Sequence, residues 1–296
     1  MEENKVLQTN SFKIVGKLVD AKVTEGARSN DGQAYVSVVA TVRSTLNGVV
    51  NEYEINFYSL QMTLEGKVSQ LYTNYCKMAD LVNKKVEITG SLRENRYFST
   101  NLNQVVSAQQ LSGRFIRGVV ESTQDEASYV IGGFVVTGLT EKRNKDDEVY
   151  RYDLAIGQQN YKGDNMNKFV VHFRPEDRDA VSFAESYEVG ATIQINGTLN
   201  FLVEEVVRQD NNEGGFGKGV TRTYTNRQRN FWVEGGSAQL EENAYPIDLI
   251  KKLINAYKAA DVELANAAKE QAPAKGASLQ NNAPAQNVSK RQTSLI

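Results

Sequence analysis

Residues 85–92 read KVEITGSL, and residues 192–199 read TIQINGTL. The two stretches share an alternation of Val or Ile with polar residues, and Gly90 of the first takes the position of Gly197 in the second. Alternation of this kind is typical of a β-strand with one buried face. Two strands so alike, 107 residues apart, indicate that the chain repeats itself.

Two further matches extend the repeat. Residues 11–19, SFKIVGKLV, correspond to residues 128–136, SYVIGGFVV, and residues 53–58, YEINFY, correspond to residues 169–174, FVVHFR. Three matches in the same order, at offsets of 117, 116 and 107, are hard to produce by chance. The sequence therefore predicts a duplicated domain.

Each copy has the pattern of a small, mostly β domain. Strands are predicted at 12–24, 33–43, 51–59, 85–93 and 103–111 with a helix at 67–82, and again at 129–141, 148–157, 166–173, 191–203 and 229–237 with a helix at 176–187. Five strands with a helix between the third and fourth is the layout of the OB-fold, a five-stranded Greek-key barrel. A glycine in the middle of each fourth strand suits the kink that a tight barrel needs.

The predicted organisation follows from these patterns. We expect a first OB-fold at 10–113, a linker at 114–127, a second OB-fold at 128–240 with a long hairpin at about 200–230, an amphipathic helix at 245–270 and a disordered tail at 271–296. The helix is expected to pack on its own barrel, and docking to a partner subunit is the alternative.

Composition bounds the class of protein. The chain has 296 residues, 40% of them hydrophobic, which is enough for two cores. The single cysteine, Cys76, excludes an internal disulfide and fits a reducing compartment. The first residues have no apolar signal-peptide core, and no segment reaches the roughly 18 apolar residues of a membrane span. We therefore expect a cytoplasmic protein, in the bacterial host if a phage encodes it.

Catalysis needs converging reactive groups, and the sequence offers few. The one histidine, His172, lies in a strand whose alternate residues are predicted to face the core. Residues 214–219, GGFGKG, resemble a phosphate-binding loop, but Lys218 is followed by Gly219 rather than Ser or Thr. No second His or Cys stands at metal-ligand spacing. We expect no enzyme activity, no cofactor and no metal.

The segment 214–232, GGFGKGVTRTYTNRQRNFW, concentrates charge and rings. It carries four cations, four aromatic residues and no Asp or Glu, although the chain has a net charge of -2. Its Gly-rich turn between strand-like runs predicts a β-hairpin that projects from the second barrel. Aromatic rings that stack on unpaired bases, with cations that neutralise phosphates, are typical of single-stranded nucleic-acid binding.

The predicted nucleic-acid contacts combine this hairpin, its shorter counterpart in the first copy and outward-facing barrel residues. They are Lys13, Lys17, Tyr35, Arg43, Tyr58, Arg93, Arg96, Tyr97, Phe98, Arg151, Phe216, Lys218, Arg222, Tyr224, Arg227, Arg229 and Trp232.

With two barrels, a basic aromatic hairpin, a terminal helix and a polar tail, the chain resembles the single-stranded DNA-binding proteins, in particular the tandem OB-fold type of bacteriophages or mobile elements. The resemblance covers about residues 10–240 and rests on architecture. It implies a non-catalytic, largely sequence-independent protein that coats and protects single-stranded DNA in replication, recombination or repair. The tail of bacterial members ends in an acidic run and an apolar tip, whereas this chain ends KRQTSLI without the acidic run.

Two other classes of function stay open. Stacking on unpaired bases serves RNA equally well, so an RNA-binding protein is one alternative. An OB-fold structural or interaction module, for example a virion component, is the other. Expected partners besides nucleic acid are replication or recombination proteins, reached through the C-terminal helix or tail, and a second copy of the chain.

Overall fold

The computed structural model describes residues 6–210 and 220–271. The first half contains β1 (Asn10–Ala27), β2 (Ala34–Leu46), β3 (Val49–Leu60), α1 (Gln70–Cys76), a 3-10 turn (Met78–Leu81), β4 (Lys85–Ser99) and β5 (Gln104–Gly118). The second half contains β6 (Glu126–Arg143), β7 (Val149–Gln159), β8 (Met166–Phe173), α2 (Arg178–Glu185), β9 (Thr192–Asp210), β10 (Val220–Gly236) and α3 (Ile247–Gln271).

The strands close into two barrels. In the first half β1 pairs with β2, β2 with β3, β4 with β5, and β4 with β1, all antiparallel. A parallel bridge of β3 to β5 at Ile55 and Leu111 completes the ring. The second half repeats this order, with β8 parallel to β10 at His172 and Trp232. Because a helix follows the third strand of each barrel, this is the OB-fold layout, and the predicted fold class is confirmed.

Alternation along the strands fills both barrels. On β2 the residues Val36, Val38, Ala40 and Val42 are completely buried, and their neighbours in sequence point out of the barrel. Phe169 and its alternating neighbours on β8 form the core of the second barrel in the same way. Alternation along each strand therefore decides which of its side chains face the core.

The boundary between the two halves differs from the prediction. Residues 114–118 continue β5, where Phe115 and Gly118 pair with Thr89 and Val86 of β4. Because β6 begins at Glu126, the connection is only residues 119–125, shorter than the predicted linker of 114–127. The predicted disordered tail lies, after Gln271, outside the described residues.

The glycines at the middle of β4 and β9 sit where the chain passes closest to itself. A Cβ at Gly90 would lie 2.1 Å from the Ser112 carbonyl oxygen, and one at Gly197 would lie 1.9 Å from the Trp232 carbonyl oxygen. The neighbouring backbone can make room for a Cβ at either position only if the strand bends. Both positions therefore need glycine for steric reasons.

The two barrels join through their first strands. β1 pairs antiparallel with β6, and Phe12 lies directly opposite Tyr129. A second contact links β3 to β9, where the Phe201 N–H donates to the Asn51 side-chain oxygen at 2.8 Å and the Tyr53 hydroxyl donates to the Leu199 carbonyl at 2.9 Å. The two barrels therefore share one continuous network of backbone pairs and buried hydrogen bonds.

The C-terminal helix α3 packs across both barrels. Its residues Ile250, Leu253 and Tyr257 are buried in a cluster with Phe134 and Met166 of the second barrel. It also contacts β4 and β5 of the first barrel, which neither packing on its own barrel nor the alternative of docking to a partner subunit had included. In the described ranges, no helix is long and apolar enough to cross a membrane.

Replacing Gly197 by Ala should lower the free energy of unfolding by about 2 kcal/mol, because the methyl group would collide with the Trp232 carbonyl. Gly118→Ala is the matched control, since a Cβ there meets no atom within 4 Å. Urea unfolding of both variants measures the effect. Equal stability of Gly197→Ala and the parent would contradict this account of the barrel.

Candidate nucleic-acid interface

The outward face of the first barrel carries a stacked pair of tyrosines. The ring centroids of Tyr35 on β2 and Tyr58 on β3 lie 5.6 Å apart, and the ring planes differ by 29°. Phe57 points into the core, so alternation turns Tyr58 outward, where 51% of it is exposed. An exposed ring of this kind offers a flat surface on which a base can stack.

A charged cluster lies where β3 of the first barrel meets β9 and β10 of the second. The Glu52 carboxylate lies 2.9 Å from Arg43 Nε and 3.7 Å from a guanidinium nitrogen of Arg227. Glu52 is largely buried, while both arginine side chains are about half exposed. We name Arg43, Glu52 and Arg227 the open joint. It brings one cation from each barrel to one carboxylate, so one positive charge remains uncompensated within the cluster.

The hairpin of β9 and β10 holds most of the basic aromatic segment. Its strands pair from Trp232 opposite Thr198 outward to Val220 opposite Asp210. Residues 225–229 are exposed, and the Arg229 guanidinium lies 5.6 Å from the centroid of the Phe201 ring. The backbone of the predicted contacts Arg222 and Tyr224 belongs to β10, and the predicted contacts Phe216 and Lys218 lie outside the described residues.

The second barrel presents a comparable face. Trp232 on β10 lies half-buried outside the barrel, opposite in phase to the core residue Phe231. The Arg174 guanidinium lies 5.0 Å from the Trp232 ring, and its Nη1 is 3.2 Å from the Glu234 carboxylate. Arg174 was not among the predicted contacts. The offset of 116 that places it at the repeat position of Tyr58 was the signal that could have found it.

Arg151 is held in a polar network on this face. Its Nε lies 2.8 Å from Asp153 Oδ1, and its Nη1 donates to the Asn230 side-chain oxygen at 3.3 Å. The guanidinium is only about a quarter exposed. This placement leaves Arg151 less available to a phosphate than alternation alone predicted.

His172 lies beneath Trp232 and serves the fold. The Phe231 N–H donates to His172 Nδ1 at 3.1 Å, which requires an unprotonated nitrogen. Burial lowers the pKa of His172 to about 3, and the nearby Arg151 charge acts in the same direction. The ring is therefore neutral at physiological pH. Within the described ranges, no group of three or more His, Cys, Asp or Glu side chains could hold a metal ion.

Two predicted cations are occupied elsewhere. Lys13 lies 2.7 Å from the Glu126 carboxylate, whose hydrogen bond raises the pKa of the lysine, and 3.8 Å from Glu87. Arg96 is covered by α3, pairs with Asp261 and donates to the Tyr257 carbonyl at 2.9 Å. The sequence did not reveal these ion pairs, because the carboxylates lie far from Lys13 and Arg96 along the chain. Arg96 is therefore not on a free surface, whereas Lys13 stays partly exposed but is paired with a carboxylate.

The remaining predicted contacts lie on β1 and β4. Lys17, Arg93 and Tyr97 are exposed, and Phe98 is half-buried. Lys17 is opposite Arg43 of the open joint in the pairing of β1 with β2. Among the described residues, no carboxylate forms an ion pair with Lys17, Arg93 or Arg229.

The fold and these two faces define a two-barrel OB-fold protein, and the comparisons agree. The wild-type single-stranded DNA-binding protein from Thermus aquaticus is similar in structure, with a TM-score of 0.50 and 12% identity over 81% of this chain and 97% of that chain. A deletion mutant of that protein gives a TM-score of 0.49 and 12% identity over 81% of this chain and 98% of that chain. The profile of the YorF family matches residues 8–270, so the chain belongs to that family. No curated protein matches it.

The depressed pKa of His172 makes stability depend on pH. In the unfolded chain His172 takes up a proton below its ordinary pKa of about 6.5. In the folded chain it does so only near pH 3. The contribution of the buried neutral ring to the free energy of unfolding is thus present above pH 6.5 and is lost as the pH falls. The stability advantage of the parent over His172→Gln should shrink by about 2 kcal/mol between pH 7 and pH 5. Urea unfolding at both pH values measures it, and an unchanged difference would contradict the assignment.

Proposed function

We propose that the chain binds single-stranded DNA across both barrels with little sequence preference. It acts as a non-catalytic protein that coats and protects exposed strands in replication, recombination or repair, of the type that bacteriophages or mobile elements encode. The observation that carries the proposal is a flat group at one repeat position of both barrels. Tyr58 of the first barrel stacks on Tyr35 of β2, and Arg174, at the same repeat position of the second barrel, lies over the Trp232 ring of β10.

Flat groups at these two positions suit unpaired bases. A base in a duplex has its faces covered by its neighbours, whereas a single strand exposes them to solvent. Stacking on an aromatic ring contributes about 1–3 kcal/mol per base and tolerates every base, because each has a π-face. Tyr58 is half exposed on a strand that the core holds in place, so its ring is ordered before any ligand arrives.

Exposed cations where β3 meets the hairpin suit a phosphate backbone. The open joint supplies Arg43 and Arg227, Lys17 lies beside Arg43, and Arg229 extends the row along the hairpin. A strand that runs from one barrel to the other along β3 and the hairpin meets these charges in turn. The Thermus aquaticus protein that shares this fold is named for single-stranded DNA binding, which is consistent with the proposal.

Tyr58→Ala should weaken binding of oligo(dT) about tenfold or more, because it removes one stacking surface. The thermal midpoint should stay within about 2 °C, since the exposed ring contributes little to the core. Fluorescence anisotropy of a labelled oligonucleotide measures the affinity. Tyr161→Ala is the control, because Tyr161 is a still more exposed tyrosine and lies on the turn between β7 and β8. Equal affinities of the two variants would contradict the role of Tyr58.

Salt should weaken binding strongly. If about six phosphates are neutralised, the logarithm of the association constant should fall with the logarithm of salt concentration at a slope of about -4. Titrations at several NaCl concentrations give the slope, and a value near zero would contradict binding by cations. Competition by oligo(rU) at equal strength would favour the RNA-binding alternative, and failure to bind either polymer would favour the structural module.

A further inference from the structure

The two barrels meet at a second joint, which the repeat relates to the open joint. Here the Lys168 N–H of β8 donates to the Glu94 carboxylate of β4 at 2.7 Å. Beside the open joint the equivalent strands are also linked, there by the Phe201 N–H of β9, which donates to the Asn51 side chain of β3. The repeat offset of 116 places Lys168 at the position of Glu52. The contact of β8 with the hairpin of β4 and β5 is therefore the counterpart of the contact at the open joint, and it contains Lys168, Glu94 and Arg96. We name them the covered joint.

Helix α3 makes the difference between the two joints. The Tyr257 ring lies over the Arg96 guanidinium at 3.7 Å and faces the Lys168 ammonium at 5.3 Å. The Asp261 carboxylate, one turn further along the helix, pairs with Arg96. As a result only 12% of the Arg96 side chain is exposed, against about half of Arg43 or Arg227.

The groups that α3 presents have the chemistry of a nucleotide. A flat ring stacks on a guanidinium and an anion lies beside it, as a base and its phosphate would. We propose that the covered joint is a second binding surface for single-stranded nucleic acid, and that Tyr257 and Asp261 of α3 occupy it in place of the strand. The inference rests on the proposed function, because the surface takes the same class of ligand as the open joint.

The second half of α3 is less deeply buried than the first half. Ile250 and Leu253 anchor the first turns of the helix in the core, whereas none of residues 258–268 is buried. Tyr257 and Asp261 hold the second half of the helix at the covered joint, and Ala260, Leu264, Ala265 and Ala268 on the same side of the helix are only half-buried. A single strand that competes for Arg96 and Lys168 displaces this half, and it thereby exposes the part of the cluster with Phe134 and Met166 to which Tyr257 belongs.

The test is a count of bound oligonucleotides. The double variant Tyr257→Ala with Asp261→Ala removes the ring and the carboxylate while Ile250 and Leu253 remain. In native mass spectrometry with an oligo(dT) of about eight nucleotides, it should bind about one oligonucleotide more per chain than the parent. Adding Arg96→Ala to this variant should return the count to that of the parent. Glu263→Ala, which removes the same charge from the exposed side of α3, should not change the count.

Other outcomes separate the inference from the proposed function. A parent that binds no oligonucleotide, with a double variant that binds one through Arg96, would refute the proposed function and support the covered joint. An unchanged count in a folded double variant would overturn the inference. If the double variant does not fold, Asp261→Asn keeps the Tyr257 packing. The Asp261→Asn variant should then bind oligo(dT) at least about threefold more tightly than the Glu263→Gln variant. Equal affinities of these two variants would overturn the inference.

Discussion

The antiparallel pairing of β1 with β6 is the contact on which the rest of the molecule depends. It places Phe12 opposite Tyr129, and each ring packs against the glycine of its own barrel's fourth strand. A Cβ at Gly90 would approach the Phe12 ring to 2.8 Å, and one at Gly197 would approach the Tyr129 ring to 2.9 Å. Closure of each barrel and docking of the two barrels therefore use the same residues, so neither can shift alone.

Because equivalent strands pair with each other, every surface between the barrels occurs twice. One copy is the open joint, with Arg43 and Arg227 on either side of Glu52. The other is the covered joint, where α3 lies over Arg96. A helix present once in the chain breaks the equivalence. One set of cations is thus accessible, and in our proposal the second becomes accessible to nucleic acid only if the helix moves.

Charge in this protein is arranged in local pairs. The chain has a net charge of -2, and several cations on the barrels have a carboxylate neighbour, as Lys13 has Glu126 and Arg151 has Asp153. A phosphate must compete with these carboxylates for the cation, so paired cations add less to affinity than free ones. Aromatic stacking carries a correspondingly larger share of the binding that we propose, and the exposed cations of the hairpin supply the electrostatic part.

The sequence by itself determined the repeat, the order of the strands, the inward-facing residues and the outward direction of Tyr35, Tyr58 and Trp232. These are properties of neighbouring residues, because alternation along a strand sets which face a side chain occupies. The tertiary structure alone decided which cations are free. Glu126 is 113 residues from Lys13 and Asp261 is 165 residues from Arg96, and a strand pattern contains no information on such pairs. They meet only because two barrels and a helix dock in one particular arrangement.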